Sequence, residues 1–146
     1  MANNSLIIGG SSGIGAALVT SLVEHGQSVT HLSRAPEKGP YVAMARGVRW
    51  DALSEPFPSD CLPERLDGLV YCPGSIRLKP FGRLREQELR DDLELNLMGA
   101  VRALQGAYES LKRSDVASVV FSVLWLSAPA CPFMHRSRPQ RGRLKG

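Results

Sequence analysis

At 146 residues, with 43% hydrophobic and 22% charged side chains, the chain has the size and balance of one ordinary globular domain able to bury a core. Its net charge of +4 is misleading, because the last eleven residues carry five cations (Arg136, Arg138, Arg141, Arg143, Lys145) and no acid, leaving the rest at about −1; a nucleic-acid partner would have to be held by that tail alone. No apolar run approaches the roughly 20 residues of a membrane span, Met1 to Ser5 lacks the regions of a secretory signal, and Cys61, Cys72 and Cys131 are odd in number without metal-ligand spacing, so no membrane, no metal site, reduced thiols and a cytoplasmic location are expected.

The first element is a short apolar strand, Ser5-Leu6-Ile7-Ile8, running into Gly9-Gly10-Ser11-Ser12-Gly13-Ile14-Gly15. A turn with Gly9, Gly13 and Gly15 bends sharply, keeps side chains out of the way and ends at a helix N-terminus with free N–H groups, which is what a dinucleotide pyrophosphate requires. The helix from Gly13 to His25 places Ile14, Leu18, Val19 and Leu22 on one face and stops at Gly26. Ser28 to Leu32 reads as a second strand, followed by a breaker-rich loop, Arg34 to Pro40, and a third short strand lies at Gly47 to Trp50. Pro56, Pro58 and Pro63 make the next stretch a loop with room for one helical turn. Leu66 to Cys72 is the fourth strand, ending at Pro73-Gly74. Glu86 to about Ser114 is a long helix with Leu89, Leu93, Leu97, Val101 and Leu104 at helical spacing. Ala117 to Phe121 is a fifth strand, apolar enough to be covered on both faces. This alternation implies an α/β fold, a doubly wound parallel sheet of about five strands, whose ligands bind at the carboxyl ends of the strands.

The spacing Gly9-x-x-x-Gly13-x-Gly15 resembles the short-chain dehydrogenase/reductase family, whose Rossmann-like turn reads Thr-Gly-x-x-x-Gly-x-Gly; the Thr is Ile8 here. The resemblance runs from about Ser5 to Ser122. It implies a nicotinamide cofactor held by Gly9, Ser11, Ser12, Gly13, Ile14 and Gly15, by Ser33 and Arg34 after the second strand, by Asp51 after the third, where the family has an Asp that accepts from the adenine amino group, and by Cys72, Pro73 and Gly74 after the fourth. An acid after the second strand would suit the ribose of NAD, whereas the Arg34 guanidinium suits the 2′-phosphate of NADP. The family's Asn-Asn-Ala-Gly is Tyr71-Cys72-Pro73-Gly74 here, with only the Gly shared. Asn96, interrupting the apolar face of the long helix, stands where the family has the Asn of its catalytic tetrad, and a buried amide there must be hydrogen-bonded.

In that family, hydride transfer between nicotinamide and a carbonyl or alcohol uses a Tyr as acid/base, a Lys four residues on to lower its pKa, and a Ser after the fifth strand. Ser122 is the candidate for the Ser, although the family's position falls one place later, at Val123. Tyr41, Tyr71 and Tyr108 all precede the fifth strand, and the chain is read as lacking the Tyr-x-x-x-Lys pair. Two readings stand: an oxidoreductase of this family acting on a small carbonyl or alcohol but inactive as this chain, and a non-catalytic NADP-binding module.

Residues 1–122 therefore read as the dinucleotide-binding domain and residues 123–146 as an irregular, basic, Pro- and Arg-rich tail. A frameshift after Ser122 accounts for the change: codons for the tail can be chosen so that the adjacent frame encodes a Ser or Thr, a Gly-containing loop and an Ala-rich helix bearing a Lys, and the single-codon residues Trp125 and Met134 fit. On that reading strands and helices of the family are missing, the fifth strand is an open edge, and the product is marginally stable. A homo-oligomer is an expectation for a full-length relative only.

Overall fold

The computed structural model describes residues 3–39, 45–75 and 77–122. Tyr41, Val123, Cys131, the basic tail and the frameshift reading lie outside the described residues. Five strands form one sheet: β1 Asn4–Ile8, β2 Ser28–Ser33, β3 Ala45–Arg49, β4 Gly68–Tyr71 and β5 Ser118–Phe121. All pairings are parallel and the order is β3-β2-β1-β4-β5. Helix α1 is Gly13–Glu24, α2 is Glu86–Leu93 and α3 is Gly99–Lys112, with a π-type turn at Glu94–Met98 joining the last two. Short 3-10 turns at Pro36–Lys38, Ser59–Cys61 and Phe81–Arg83 punctuate the loops; the second is the single turn expected in the proline-rich stretch. Among the described residues no helix is long and apolar enough to cross a membrane.

The pleat of β1 divides the core. Leu6 and Ile8 face one side with Leu32, Trp50, Leu69 and Tyr71, covered by Ala100, Ala103, Ala107 and Leu111 of α3. Ile7 faces the other with Val29 and Ala45, covered by Val19 and Val23 of α1. The chain moves outward from β1 in opposite directions through β2 and through β4, so the carboxyl end of β1 opens a crevice at the switch point.

Three expectations about packing are corrected. The buried stripe of α1 is Gly15, Val19 and Val23, with Leu18 and Leu22 packed at its flank; Ile14 is 66% exposed, because the first turn stands beyond the sheet at the crevice mouth. The long helix is not continuous and its Leu stripe is not the core face: Leu89, Leu93, Leu97 and Val101 are exposed, and only Leu104 of the expected set packs against the core. The π-type turn shifts the phase of α3 relative to α2, and small residues win the sheet-facing side because they let the helix backbone lie close to strands already filled by Leu69 and Tyr71. Gly106 lets the helix approach the proline-rich loop as well, since a Cβ there would overlap the Phe57 ring, which itself packs edge-on to Trp50 at 5.2 Å between centroids. Finally, β5 pairs only with β4 in the described sheet, and all four of its residues are exposed rather than covered.

The buried face of α3 can be tested directly. Ala103→Leu should overpack the α3 face and cost about 1–3 kcal/mol, whereas Leu93→Ser on the exposed stripe should stay within about 0.5 kcal/mol. Urea-unfolding midpoints of the two variants check this, and the ranking reverses if the Leu stripe is the true core face.

Candidate functional site

At the crevice the backbone of the glycine turn is as tight as its composition demands. Gly9 has φ +81° and Gly13 φ +56°, a region that costs side-chain-bearing residues. A Cβ on Gly15 would overlap the Gly9 carbonyl, and one on Gly9 would lie 3.2 Å from the Pro73 ring. The turn is tied to both neighbouring strands: Gly9 N–H donates to Leu32 O at 2.7 Å, and Cys72 N–H to Ile8 O at 3.0 Å. Ser12 precedes α1 in extended conformation, and its side chain makes no capping bond, so the first-turn N–H groups of α1 are left facing the crevice.

The crevice is a cleft of about 450 Å³. Its walls include Gly9, Ser11, Ser12, Gly13, Ile14 and Gly15 of the turn, Ser33 and Arg34 after β2, Asp51 after β3, Cys72, Pro73 and Gly74 after β4, and Ser122 after β5. The structure thus brings the expected cofactor residues together, along with Ser122, whose N–H donates to Tyr71 O at 2.9 Å and prolongs the β4–β5 ladder. Sequence reasoning missed Trp50, Ala52, Leu53 and Leu95, which supply apolar wall. A cavity of about 500 Å³ opens at the opposite, amino ends of the strands, where Ser5 Oγ donates to Gln27 Oε1 at 3.0 Å and Arg46 donates to Cys61 O at 3.1 Å.

Ser33 is the most informative lining residue. It is 8% exposed, and its hydroxyl finds no partner among the described residues. Beside it Arg34 is exposed and makes no ion pair among the described residues. A buried hydroxyl left unpaired costs about 1–3 kcal/mol unless a ligand or water takes it up. Asp51 spends Oδ1 on Leu53 N–H at 3.0 Å, capping its own turn. Burial pushes the Cys72 thiol up, so it lines the cleft as a neutral group.

Asn96 departs from expectation. It is exposed, not buried, and it is not in the cleft wall; the residue before it, Leu95, is. Its amide clamps one residue at both ends: Oδ1 accepts from Ser75 N–H at 2.9 Å and Nδ2 donates to Ser75 O at 3.0 Å. The loop beyond Ser75 is fastened to α2 by Asp92, which accepts from Ser75 Oγ at 2.6 Å, and by the buried Glu88 carboxylate, which receives Lys79, the Arg85 backbone N–H and Arg77.

One tyrosine does precede a lysine by four residues, Tyr108 and Lys112, contrary to the reading that the chain lacks such a pair. The two are stacked, with Nζ 5.4 Å from the ring centroid, but both are exposed and neither lines the cleft. The reason is the direction of α3, which starts beside Tyr71 at the carboxyl end of the sheet and finishes where Leu66 N–H meets Ser110 O, at the amino end.

Two carboxylates carry the acid stability of this frame. Lys79 and the Arg85 N–H hold Glu88 down to about 2, and Ser114, the Asn4 N–H and Arg65 hold Asp67 down to about 2. Because both folded values are depressed, their contribution is complete above the ordinary carboxylate range and disappears as pH falls from about 4 to about 2. Circular dichroism melts across that range should show the loss, and Glu88→Gln should flatten the slope.

No family model matches the chain. It is 33% identical over 128 residues to a farnesol dehydrogenase of Aedes aegypti, covering 77% of this chain and 52% of the relative. Among solved structures, a short-chain dehydrogenase from Streptomyces avermitilis superposes with a TM-score of 0.70 at 26% identity, covering 82% of this chain and 48% of that one. A short-chain-dehydrogenase-type protein from Escherichia coli CFT073, complexed with NADPH, gives 0.71 at 24% identity, covering 82% and 57%. The chain spans about half the length of the relatives it matches.

Proposed function

We propose, for a chain that is a partial short-chain dehydrogenase/reductase in fold and sequence, that its cleft binds NADP(H) and that the chain is a cofactor-binding unit with little or no turnover of its own. The observation that carries the ligand is the buried Ser33 hydroxyl beside Arg34 at the cleft rim, neither of which has a polar or ionic side-chain partner among the described residues. A 2′-phosphate placed there would take the Ser33 O–H and the guanidinium together, while a ribose hydroxyl would leave Arg34 unused. The rest of the cleft fits the same ligand. The uncapped first turn of α1 suits the pyrophosphate, Asp51 suits the adenine amino group, and Cys72 to Gly74 form the wall toward β4.

When bound, the cofactor would supply a hydride to, or accept one from, a carbonyl or alcohol carbon. This chain's own residues bind and orient it, with Ser122 at the cleft and Asn96 holding the adjoining loop as the candidate catalytic positions. The non-catalytic part of the proposal is favoured by the location of Tyr108 and Lys112 away from the cleft, which leaves no tyrosine among the described lining residues to exchange a proton with substrate. Titration of NADPH fluorescence, with NADH as control and a single-turnover assay against a panel of aldehydes and ketones, tests both parts. Expected are NADPH binding, weaker NADH binding and no oxidation above background. Equal affinity for the two cofactors overturns the NADP assignment, and stoichiometric oxidation overturns the non-catalytic one.

A further inference from the structure

Tyr71 occupies a position from which it touches both candidate catalytic segments. Its side chain is 1% exposed, and its hydroxyl donates to Leu95 O at 2.7 Å, inside the π-type turn. Its own carbonyl accepts the Ser122 N–H at 2.9 Å. One residue therefore sets β5's end through its backbone and the helical turn through its phenol. Leu95 lines the cleft, and the next residue, Asn96, holds Ser75 at both backbone groups just past Gly74, another lining residue.

The helix is shaped to receive this phenol. A Cβ at Gly99 would overlap the Tyr71 oxygen and would lie 3.3 Å from Ala52 Cβ, and Ala52 is itself part of the cleft wall. Gly99 stands at the first position of α3, with φ −60°, so no backbone conformation requires a glycine there; the phenol does. Burial pushes the Tyr71 hydroxyl up to about 12, which keeps it a neutral donor across physiological pH.

We propose that Tyr71, seated in the Gly99 notch, is a positioning residue that fixes the β4–β5 end of the cleft by bracing Leu95 and Asn96 against Ser122. The inference rests on the reading of the cleft as an NADP(H) site, and it separates the two ends of that site. Gly9 to Gly15, Ser33, Arg34 and Asp51 are fixed without Tyr71, whereas Leu95 and the Ser75-linked lip depend on it.

The test uses the full chain with Tyr71→Phe and Gly99→Ala, measuring affinity for NADPH and for adenosine 2′,5′-bisphosphate, which reaches only the Arg34 end. Loss of the phenol bond should lower NADPH affinity about tenfold and leave the bisphosphate within about twofold. Amide exchange without ligand should accelerate about tenfold at residues 94–99 and at Ser75, with β1 to β3 unchanged. Gly99→Ala should give the same pattern by displacing the phenol, and its effect should shrink in the Tyr71→Phe background, where the overlapped oxygen is gone; it also serves if Tyr71→Phe fails to fold. Equal weakening of both ligands, or no local change in exchange, overturns the proposal. If the unaltered chain binds neither ligand, the NADP(H) reading fails, and exchange alone decides whether Tyr71 braces the turn.

Discussion

Arg34→Ala is expected to lower NADPH affinity by about 10- to 100-fold while changing NADH affinity by less than about twofold. The range follows from a charge-assisted hydrogen bond of about 1.5–3 kcal/mol at a tenfold change per 1.4 kcal/mol. Arg34 is exposed, so solvent screening places the effect toward the lower figure, and raising salt should narrow the gap between wild type and variant. Ser33→Ala should act in the same direction, because the only polar atom it removes is one that has no partner among the described residues. Its effect on stability should be small or favourable for that reason, in contrast to the usual cost of deleting a buried hydroxyl. Fluorescence titration with both cofactors at two salt concentrations checks the pair. An Arg34→Ala variant that loses NADH and NADPH equally would point to damage of the turn instead of loss of a phosphate contact.

Gly15→Ala should cost about 2 kcal/mol or more and remove detectable cofactor binding. The added methyl meets a main-chain carbonyl, that of Gly9, which cannot rotate away as a side chain would. To make room, either α1 must back off the sheet, exposing Val19 and Val23, or the turn must open and carry the first-turn N–H groups away from the cleft. Gly13→Ala provides the contrast. Its Cβ would meet nothing within 4 Å, so only the positive φ opposes it, at about 1 kcal/mol. Comparing the two variants by chemical denaturation and NADPH titration separates crowding from backbone strain. If Gly13→Ala is the more damaging, the close approach of helix to strand is not what the third glycine is for.

Much of this fold could be read from residues because parallel strands buried on both sides leave continuous apolar runs, as in Leu6-Ile7-Ile8, whereas the equally apolar Val119-Val120-Phe121 is exposed in the described sheet. The doubly wound parallel sheet followed from that alternation, and the resemblance pointed to the turn, Arg34, Asp51 and Cys72 to Gly74, which line one cleft; the strand order came from the structure. What periodicity could not convey was phase. Leu89, Leu93, Leu97 and Val101 repeat at helical spacing whether they face the sheet or solvent, and alanines carry too little hydrophobicity to announce that Ala100, Ala103 and Ala107 are the true contact. The π-type turn adds a residue without a composition of its own; Asn96 and Gly99 were its only marks. Tyr71 read as a mere departure from the family's Asn, since nothing in a strand sequence tells that a phenol will lie under a glycine nearly thirty residues later. The Tyr108–Lys112 spacing shows the converse, a motif present in sequence and removed from the site by the direction of its helix.

The central place of β1 also bears on how the molecule comes to fold. Its first residue is pinned across the sheet to a partner 63 positions away, Asn4 N–H to Asp67 Oδ2 at 2.9 Å, while Ser114 Oγ closes on the same carboxylate at 2.6 Å. β1 therefore has one neighbour, β2, nearby in sequence and the other only after the whole β3 unit has been laid down. Closing so wide a loop spends chain entropy before the buried contacts of Leu69 and Tyr71 return it, which makes the docking of β4 the natural slow step. On a ribosome, an emerging chain that ends before β4 would hold half a sheet with its central strand bare, and the same long-range carboxylate clasp that marks the finished structure would mark the moment at which that exposure ends.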